Sequence, residues 1–507
     1  MPATASKKFR TKTGVQYSGD DGGPRTGGDR MKVEKIAVAI DLGTTHLKCL
    51  AVGEGGIPGY QKETSTPFLD EPGVKAPAID AKAVWRWTRD QLEAVGGAST
   101  TVAFSCAMHS LLVVDRCGEP VDGAAYTWMD TRAAPDAWRL RKGPQKEWRE
   151  RTGTPVHAMS VVVKWLWWQR VHGDVRPFKV VGLKDWIIFQ LCGQWLTDWT
   201  SASGTGMLGL TTLAWDERIL KEVGLESDQL PTVVSPGTRL GFGHGVVVIG
   251  GGDAALAHYG LGVDASSGAA VLSLGTSGAI RTNIFEPRSV LSPNFFCYRA
   301  LEDSQYLLGE AYSNIGNLLA WVGREQGVSV GDLVQRGLIR LHQTANIPLL
   351  VPYRFGERSP YWEERLYGEW IGLGDNESPD DFMAGAVAAV ITVLYGGSLR
   401  LSQAVLGIGR VRSGSKILND WRLAKTVANV IGHSLSVEEG VDASLLGALR
   451  LADAERWHDM TRFSKALRVF EPETTNIEFW QDRAARQEDA TKRQLQRIWQ
   501  DECSSAE

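Results

Sequence analysis

Ile36-Ala37-Val38-Ala39-Ile40-Asp41-Leu42-Gly43-Thr44-Thr45 decides the fold. Its first five residues are a short β-prone run, which breaks at Asp41-Leu42-Gly43-Thr44-Thr45. The chain resumes as a second strand from His46 to Val52 and turns again at Glu54-Gly55-Gly56. A tight glycine turn points backbone N–H groups at a bound anion. The hydroxyls of Thr44 and Thr45 add donors, while the Asp41 carboxylate would repel a phosphate unless a cation lay between them, the arrangement that Mg-ATP requires. An ordinary β-hairpin turn uses the same residue types.

A similar unit recurs much later. Ala269 to Leu274 is β-prone, breaks at Gly275-Thr276-Ser277-Gly278 and resumes at Ala279-Ile280-Arg281-Thr282. Two copies of one strand–turn–strand device, one in each half, predict a two-lobed α/β protein with a small-molecule site between the lobes. The first half ends near Gly262, and Val263-Asp264-Ala265-Ser266-Ser267-Gly268 reads as a hinge. The expected organisation is an extension over 1–33, a first lobe over 34–262, a second over 263–460 and a polar, charged, helical tail over 461–507, solvated at its surface.

Whole-chain properties narrow the function. The chain has 507 residues, 43% apolar and 22% charged, enough for a large core. A formal net charge of −4 argues against nucleic-acid binding, which selects basic faces. Six cysteines without a Cys-x-x-Cys pair suggest neither a metal framework nor disulfide staples, and fit reduced thiols in the cytoplasm. Residues 1–30 are polar, with no hydrophobic stretch to suggest a secretory signal, and Asp20, Asp21 and Asp29 argue against a transit peptide. This segment reads as a disordered extension, with Met31 an alternative start. Met383 to Leu399 is nearly long enough to span a membrane, but Ser378-Pro379-Asp380-Asp381 starts it like a capped helix and Gly396-Gly397 interrupts it, so a buried core helix and no membrane are expected. Among 19 tryptophans, Trp165-Leu166-Trp167-Trp168 reads as helix packing.

Three further segments carry chemistry. Gly250-Gly251-Gly252-Asp253 follows the strand Val246 to Ile249. The glycines let the backbone approach something closely and place Asp253 at a strand end before a helix, where a carboxylate can take a proton from a substrate hydroxyl. The bland alternative for Asp253 is a helix N-cap, and the Gly-x-Gly-x-x-Gly dinucleotide spacing is not met. Phe104-Ser105-Cys106-Ala107-Met108-His109-Ser110 ends a strand, and Trp128-Met129-Asp130-Thr131-Arg132 follows. An aromatic face with His, Asp and Arg suits a polyol, although a lone His is more often structural.

In this order, over about Ile36 to Ala452, these segments resemble the FGGY family of carbohydrate kinases, of the actin/Hsp70/sugar-kinase superfamily. Trp128-Met129-Asp130-Thr131-Arg132 is similar to its Trp-x-Asp-x-Arg, Lys164-Trp165-Leu166-Trp167 to its Lys-x-x-Trp, and Gly356-Glu357-Arg358-Ser359-Pro360 also fits. Within the family, Phe104 to Leu111, Thr152 to His157 and Gly275 to Arg281 are most similar to the gluconate kinases. The chain differs at Ser413, where the adenosine loop usually begins Gly-Gly, at Ser313-Asn314-Ile315-Gly316, at Gly252, and at Gly385 and Ala388.

The resemblance implies two RNase H-like lobes closing on ATP, Mg²⁺ and a sugar acid, as a monomer or homodimer. Asp253 would be the catalytic base. Met108, His109, Trp128, Asp130, Arg132, Asp253 and Arg281 would bind the sugar acid, Arg281 by pairing with the substrate's carboxylate. Gly43, Thr44, Thr45, Lys48, Gly275, Thr276, Ser277, Gly414, Ser415 and Asn419 would bind ATP, and Asp41 and Asp253 the metal. Such a cast suffices for phosphoryl transfer, which needs chiefly positioning and electrostatics. The alternatives are a xylulose, other pentulose or polyol kinase of the family, and a non-catalytic sugar-binding regulator on the same fold.

Overall fold

The structure, a computed structural model, describes residues 35–53, 58–74, 77–96, 100–173, 178–243, 245–287, 292–374, 376–440, 442–456, 466–473 and 477–504, with side chains described to 500. The 1–33 extension, Met31 and the Glu54-Gly55-Gly56 turn lie outside these residues.

The opening sequence forms β1 (Ile36–Leu42) and β2 (His46–Val52), paired antiparallel, with β3 (Pro58–Ser65) beside β2. β4 (Thr100–Cys106) joins the other side of β1 in parallel. β5 (Arg239–Phe242) and β6 (Gly245–Gly252) complete a six-stranded sheet in the order β5-β6-β4-β1-β2-β3. β1 continues through Asp41 and Leu42, so the turn itself is Gly43–Thr45. Asp41, Ser105 and Gly251 stand in register across β1, β4 and β6 at the strands' C-terminal ends, the edge where open α/β sheets bind ligands.

The second lobe repeats the plan. β7 (Ala269–Leu274) and β8 (Gly278–Ile284) form the corresponding hairpin. With β9 (Phe296–Arg299), β10 (Tyr306–Tyr312), β11 (Arg410–Ser413), β12 (Ser434–Glu439) and β13 (Ala466–Phe470) they build a seven-stranded sheet, β9-β10-β8-β7-β11-β12-β13. Both sheets set three antiparallel strands beside two parallel ones, so the weak sequence repeat is a repeat of architecture.

The helices fill the space around these sheets. α1 (Val161–His172) carries the tryptophan cluster, with Trp165 and Trp168 buried and their rings stacked 5.6 Å apart. Truncating either to alanine costs about 3–5 kcal/mol. α2 (Asp253–Gly260) follows β6 directly. α3 (Pro379–Ala404) starts at the Ser378–Asp381 capping box, is long and apolar enough to cross a membrane, and lies in the second lobe's core with 78% of its most apolar window buried. It does not break at Gly396-Gly397: an α-helical backbone tolerates glycine, and a Cβ on Gly397 would stand 1.6 Å from the Tyr312 hydroxyl. α4 (Ala443–Ala452) returns to the first lobe, where Leu445 and Leu449 pack with Ala37, Ala39, Ala103 and Val248.

Within the segment expected as a solvated helical tail, Ala466–Phe470 is instead β13, an edge strand of the second sheet. α5 (Ile477–Ser504) then buries Trp480, Arg483, Gln487, Ala490, Thr491 and Gln494. Its polar composition hid this because most of the buried groups are polar. Arg483, for example, donates to the carbonyl oxygens of Ile347 and Pro348.

Candidate active site

A cleft of about 550 Å³, within the size range of small-molecule sites, runs between the two repeated hairpins. Of the residues singled out, it brings together Asp41, Thr44, Thr45, Lys48, Met108, His109, Trp128, Asp253, Gly275, Thr276, Ser277, Arg281, Gly414, Ser415 and Asn419.

Three stand outside its lining. Gly43 shapes the turn from behind: its carbonyl accepts from Thr66 Oγ1 at 2.8 Å, and a Cβ there would meet the His46 carbonyl at 2.6 Å. Asp130 and Arg132, expected on the sugar wall, are engaged elsewhere. The Arg132 guanidinium grips both Asp130 oxygens and Glu71 Oε1 at 2.6 Å, and lies about 5 Å from the rings of both Tyr126 and Trp167. A planar fork with its donors matched to two carboxylates is held in place, so this pair braces the loop that carries Trp128.

The triple glycine also serves the fold. The strand runs on through it to Gly252 with a register shift after Val248. Gly250 has φ +76°, and a Cβ there would lie 1.7 Å from the Phe104 carbonyl. The close approach is to the neighbouring strand. Its result is to aim Asp253, the first residue of α2, into the cleft with its Oδ1 accepting from Ala254 N at 2.7 Å. Gly252, rather than Asp253, is the N-cap.

Electrostatics separate the carboxylates. Burial raises the pKa of Asp253, opposed chiefly by Arg281. Burial and the neighbouring Asp442 carboxylate raise that of Asp41, although Lys48 opposes them. Burial works against ionised Asp442 too, yet the Lys48 ammonium and Ser444 hold its pKa below the usual range. Asp442, the N-cap of α4, forms an ion pair with Lys48 in the cleft lining. The buried Asp41 Oδ1 has no hydrogen-bond partner among the described residues, and no group of three or more His, Cys, Asp or Glu among them could cage a metal. One orphaned carboxylate oxygen beside the Gly/Thr/Ser turns fits Mg²⁺, which keeps waters and takes one or two carboxylates with substrate phosphates.

The opposite end is aromatic. Trp128 Nε1 donates to Thr44 Oγ1 at 2.9 Å, tying the Trp128 loop to the Gly43–Thr45 turn, and the Arg358 guanidinium lies 4.6 Å over the indole ring. His109 has the left-handed φ of +67°, rare outside glycine. Its carbonyl accepts from buried Lys164, which also donates to the carbonyls of Tyr126 and Thr127. Lys164 thus ties together the segments bearing His109 and Trp128. Burial, then the Lys164 charge, push the His109 pKa down to about 3, so the ring is neutral near pH 7. Its Nδ1 lies 2.7 Å from the Gly204 carbonyl and must carry the proton, which leaves Nε2 an acceptor.

Ser413 is buried at the end of β11, and its hydroxyl bonds Ser415 Oγ at 3.0 Å; its Cβ does not enter the cleft lining. Ser313 and Asn314 hold the loop of Arg358: Ser313 N donates to Glu357 Oε1 at 2.6 Å and Asn314 Nδ2 to the Gly356 carbonyl at 2.7 Å. Sequence reasoning missed Arg358, Asp442 and Tyr298 in the lining. Arg358 lay inside the quoted Gly356–Pro360 run, and Asp442-x-Ser444 carries an N-cap signal, whereas nothing local marks Tyr298.

Two like-built lobes, facing Gly/Thr/Ser turns and a strand-end aspartate define the two-domain architecture of sugar kinases. The chain belongs to the FGGY family of carbohydrate kinases, whose N-terminal domain matches residues 36–260 and whose C-terminal domain matches residues 270–454. It is 30% identical over 448 residues to a gluconokinase of Bacillus licheniformis, covering 81% of this chain and 86% of that one. A xylulose kinase of Streptomyces rubiginosus is 38% identical over 266 residues, covering 48% of this chain and 53% of that one. In fold it is similar to a gluconate kinase from Lactobacillus acidophilus (TM-score 0.80, 23% identity, 90% of this chain and 98% of that one). A xylulose kinase from the same organism is equally similar (TM-score 0.80, 22% identity, the same coverage).

Proposed function

We propose that this carbohydrate kinase phosphorylates the terminal hydroxyl of a sugar acid with ATP, converting D-gluconate to 6-phosphogluconate. The observation that carries the reading is a pair of buried arginines on the cleft wall: Arg281 and Arg358 both act on the Asp253 carboxyl. A site with two guanidinium groups favours an anionic substrate over a neutral polyol. The gluconokinase relatives, matched over most of both chains, support it.

In this reading Asp253 accepts the proton of the terminal hydroxyl as that oxygen attacks the γ-phosphorus, and its raised pKa makes it a stronger base than an ordinary carboxylate. Thr44, Thr45, Thr276 and Ser277 donate to phosphate oxygens, and Gly414, Ser415 and Asn419 line the nucleotide's path. Asp41, through water, and Asp253 would hold Mg²⁺, which offsets phosphate charge when bound. Met108 and His109 line the sugar end, with Trp128 beside them. The buried α3 supports a soluble, cytoplasmic enzyme.

A coupled ADP-release assay over D-gluconate, D-xylulose, other pentuloses and polyols tests this. Preference for D-gluconate by tenfold or more in kcat/KM is expected. Preference for D-xylulose, the reading favoured by the relative that is 38% identical over half the chain, would overturn the substrate. Failure of every sugar of the panel to elicit ADP release would favour a non-catalytic role, against which the retained Asp41, Asp253 and both glycine turns argue.

A further inference from the structure

We propose that Tyr298 is a specificity-determining residue whose phenol hydroxyl, presented by the second lobe opposite His109, hydrogen-bonds a hydroxyl or carboxylate oxygen of the sugar substrate. The inference rests on the cleft being the sugar site. Tyr298 sits in β9, lines the cleft and is 2% exposed. Its Oη has no hydrogen-bond partner among the described residues. Buried tyrosine hydroxyls nearly always have one, so an orphan in a cleft wall indicates a ligand.

Its surroundings hold the ring still. Phe296 stacks on one face with centroids 4.5 Å apart, and His109 meets it edge-on at 5.6 Å. His109 comes from the first lobe and offers Nε2 as an acceptor, because Nδ1 is turned to the Gly204 carbonyl. Tyr298 offers a donor from the second lobe. A donor and an acceptor on facing walls complement a polyol chain, whose hydroxyls are both. Arg281 Nε, also buried and without a partner among the described residues, lines the same cleft. The substrate's polar groups would therefore be read from both lobes, and recognition would be complete only when the lobes close on them. Sites that bond a substrate hydroxyl discriminate strongly against analogues lacking it.

Tyr298→Phe tests this, since it removes one oxygen and keeps the ring. No protein partner loses a bond, so the melting temperature and ATP affinity should hold. Calorimetric titration should show the sugar that wild type binds weakened about tenfold in the variant. In steady state, KM for the sugar should rise while KM for ATP stays within twofold. Among deoxy analogues of that sugar, the one lacking the contacted hydroxyl should bind wild type and variant alike. Sugar affinity within twofold of wild type would overturn the assignment. Because the comparison uses whichever sugar wild type binds, a wild-type preference for D-xylulose would sink the sugar-acid reading and leave this test standing.

Discussion

Asp253→Asn separates chemistry from structure at this site. Asparagine keeps the size of the side chain and an oxygen to accept from Ala254 N, now 2.7 Å from Asp253 Oδ1. It removes the charge, and with it the ability to take a proton and to hold Mg²⁺. Base catalysis contributes about 10²–10⁴-fold in rate, and each factor of ten is about 1.4 kcal/mol, so the barrier should rise by about 3–5.5 kcal/mol. Stability should move the other way. Burial raises the folded pKa of Asp253, so the ionised carboxylate is worse off folded than unfolded at neutral pH. Removing that charge should leave the melting temperature at pH 7 equal or higher. Wild-type kcat should fall as pH drops through the raised pKa, on an acid limb above the ordinary carboxylate value of 3.8, and the variant should lack that limb. The assays are coupled ADP release from pH 4.5 to 8.5, calorimetric titration of nucleotide and thermal unfolding. A variant within tenfold of wild-type kcat would refute Asp253 as the base. A collapse in melting temperature would refute the claim that its charge is strained.

Arg281→Ala should weaken gluconate by about 10–150-fold, the worth of one charge-assisted bond, with a neutral polyol within threefold; equal weakening of both in calorimetry would remove its carboxylate role. Arg400 donates to both oxygens of fully buried Glu310 at 2.6 and 2.8 Å. Arg400→Met should therefore destabilise by about 3–5 kcal/mol in denaturant unfolding, because the partner charge stays buried. Gly250→Ala combines a left-handed backbone with a Cβ 1.7 Å from the Phe104 carbonyl and should lose about 2–5 kcal/mol, read as a lower midpoint and lower kcat if the bulge presents Asp253.

Much of the fold was legible because its signals are local. β1, β2, β7 and β8 follow from β-prone runs broken by glycine and threonine, and α3 from a capping box that Ser378, Pro379 and Asp381 carry by themselves. That the two glycine turns and Asp253 would face a cleft was legible for the same reason, since chain direction at a strand end depends on adjacent residues. The helix α5 was legible, but its burial was not, because its buried groups such as Arg483 and Gln494 find their partners more than a hundred residues away, and β13 was missed because its short run within a polar segment becomes a strand only by pairing with β12.

The sequence by itself determined the family of folds, the repeated hairpin and the identity of the strand-end carboxylates, all matters of order and spacing along the chain. Only the tertiary structure decided which side chains face the cleft. It placed Asp130 and Arg132 outside the cleft lining, in an ion network that Glu71 completes from another loop. It brought in Arg358, Asp442 and Tyr298 from distant strands and loops. A charged group's role depends on which opposite charges and open space reach it, and those are set by the packing of the lobes.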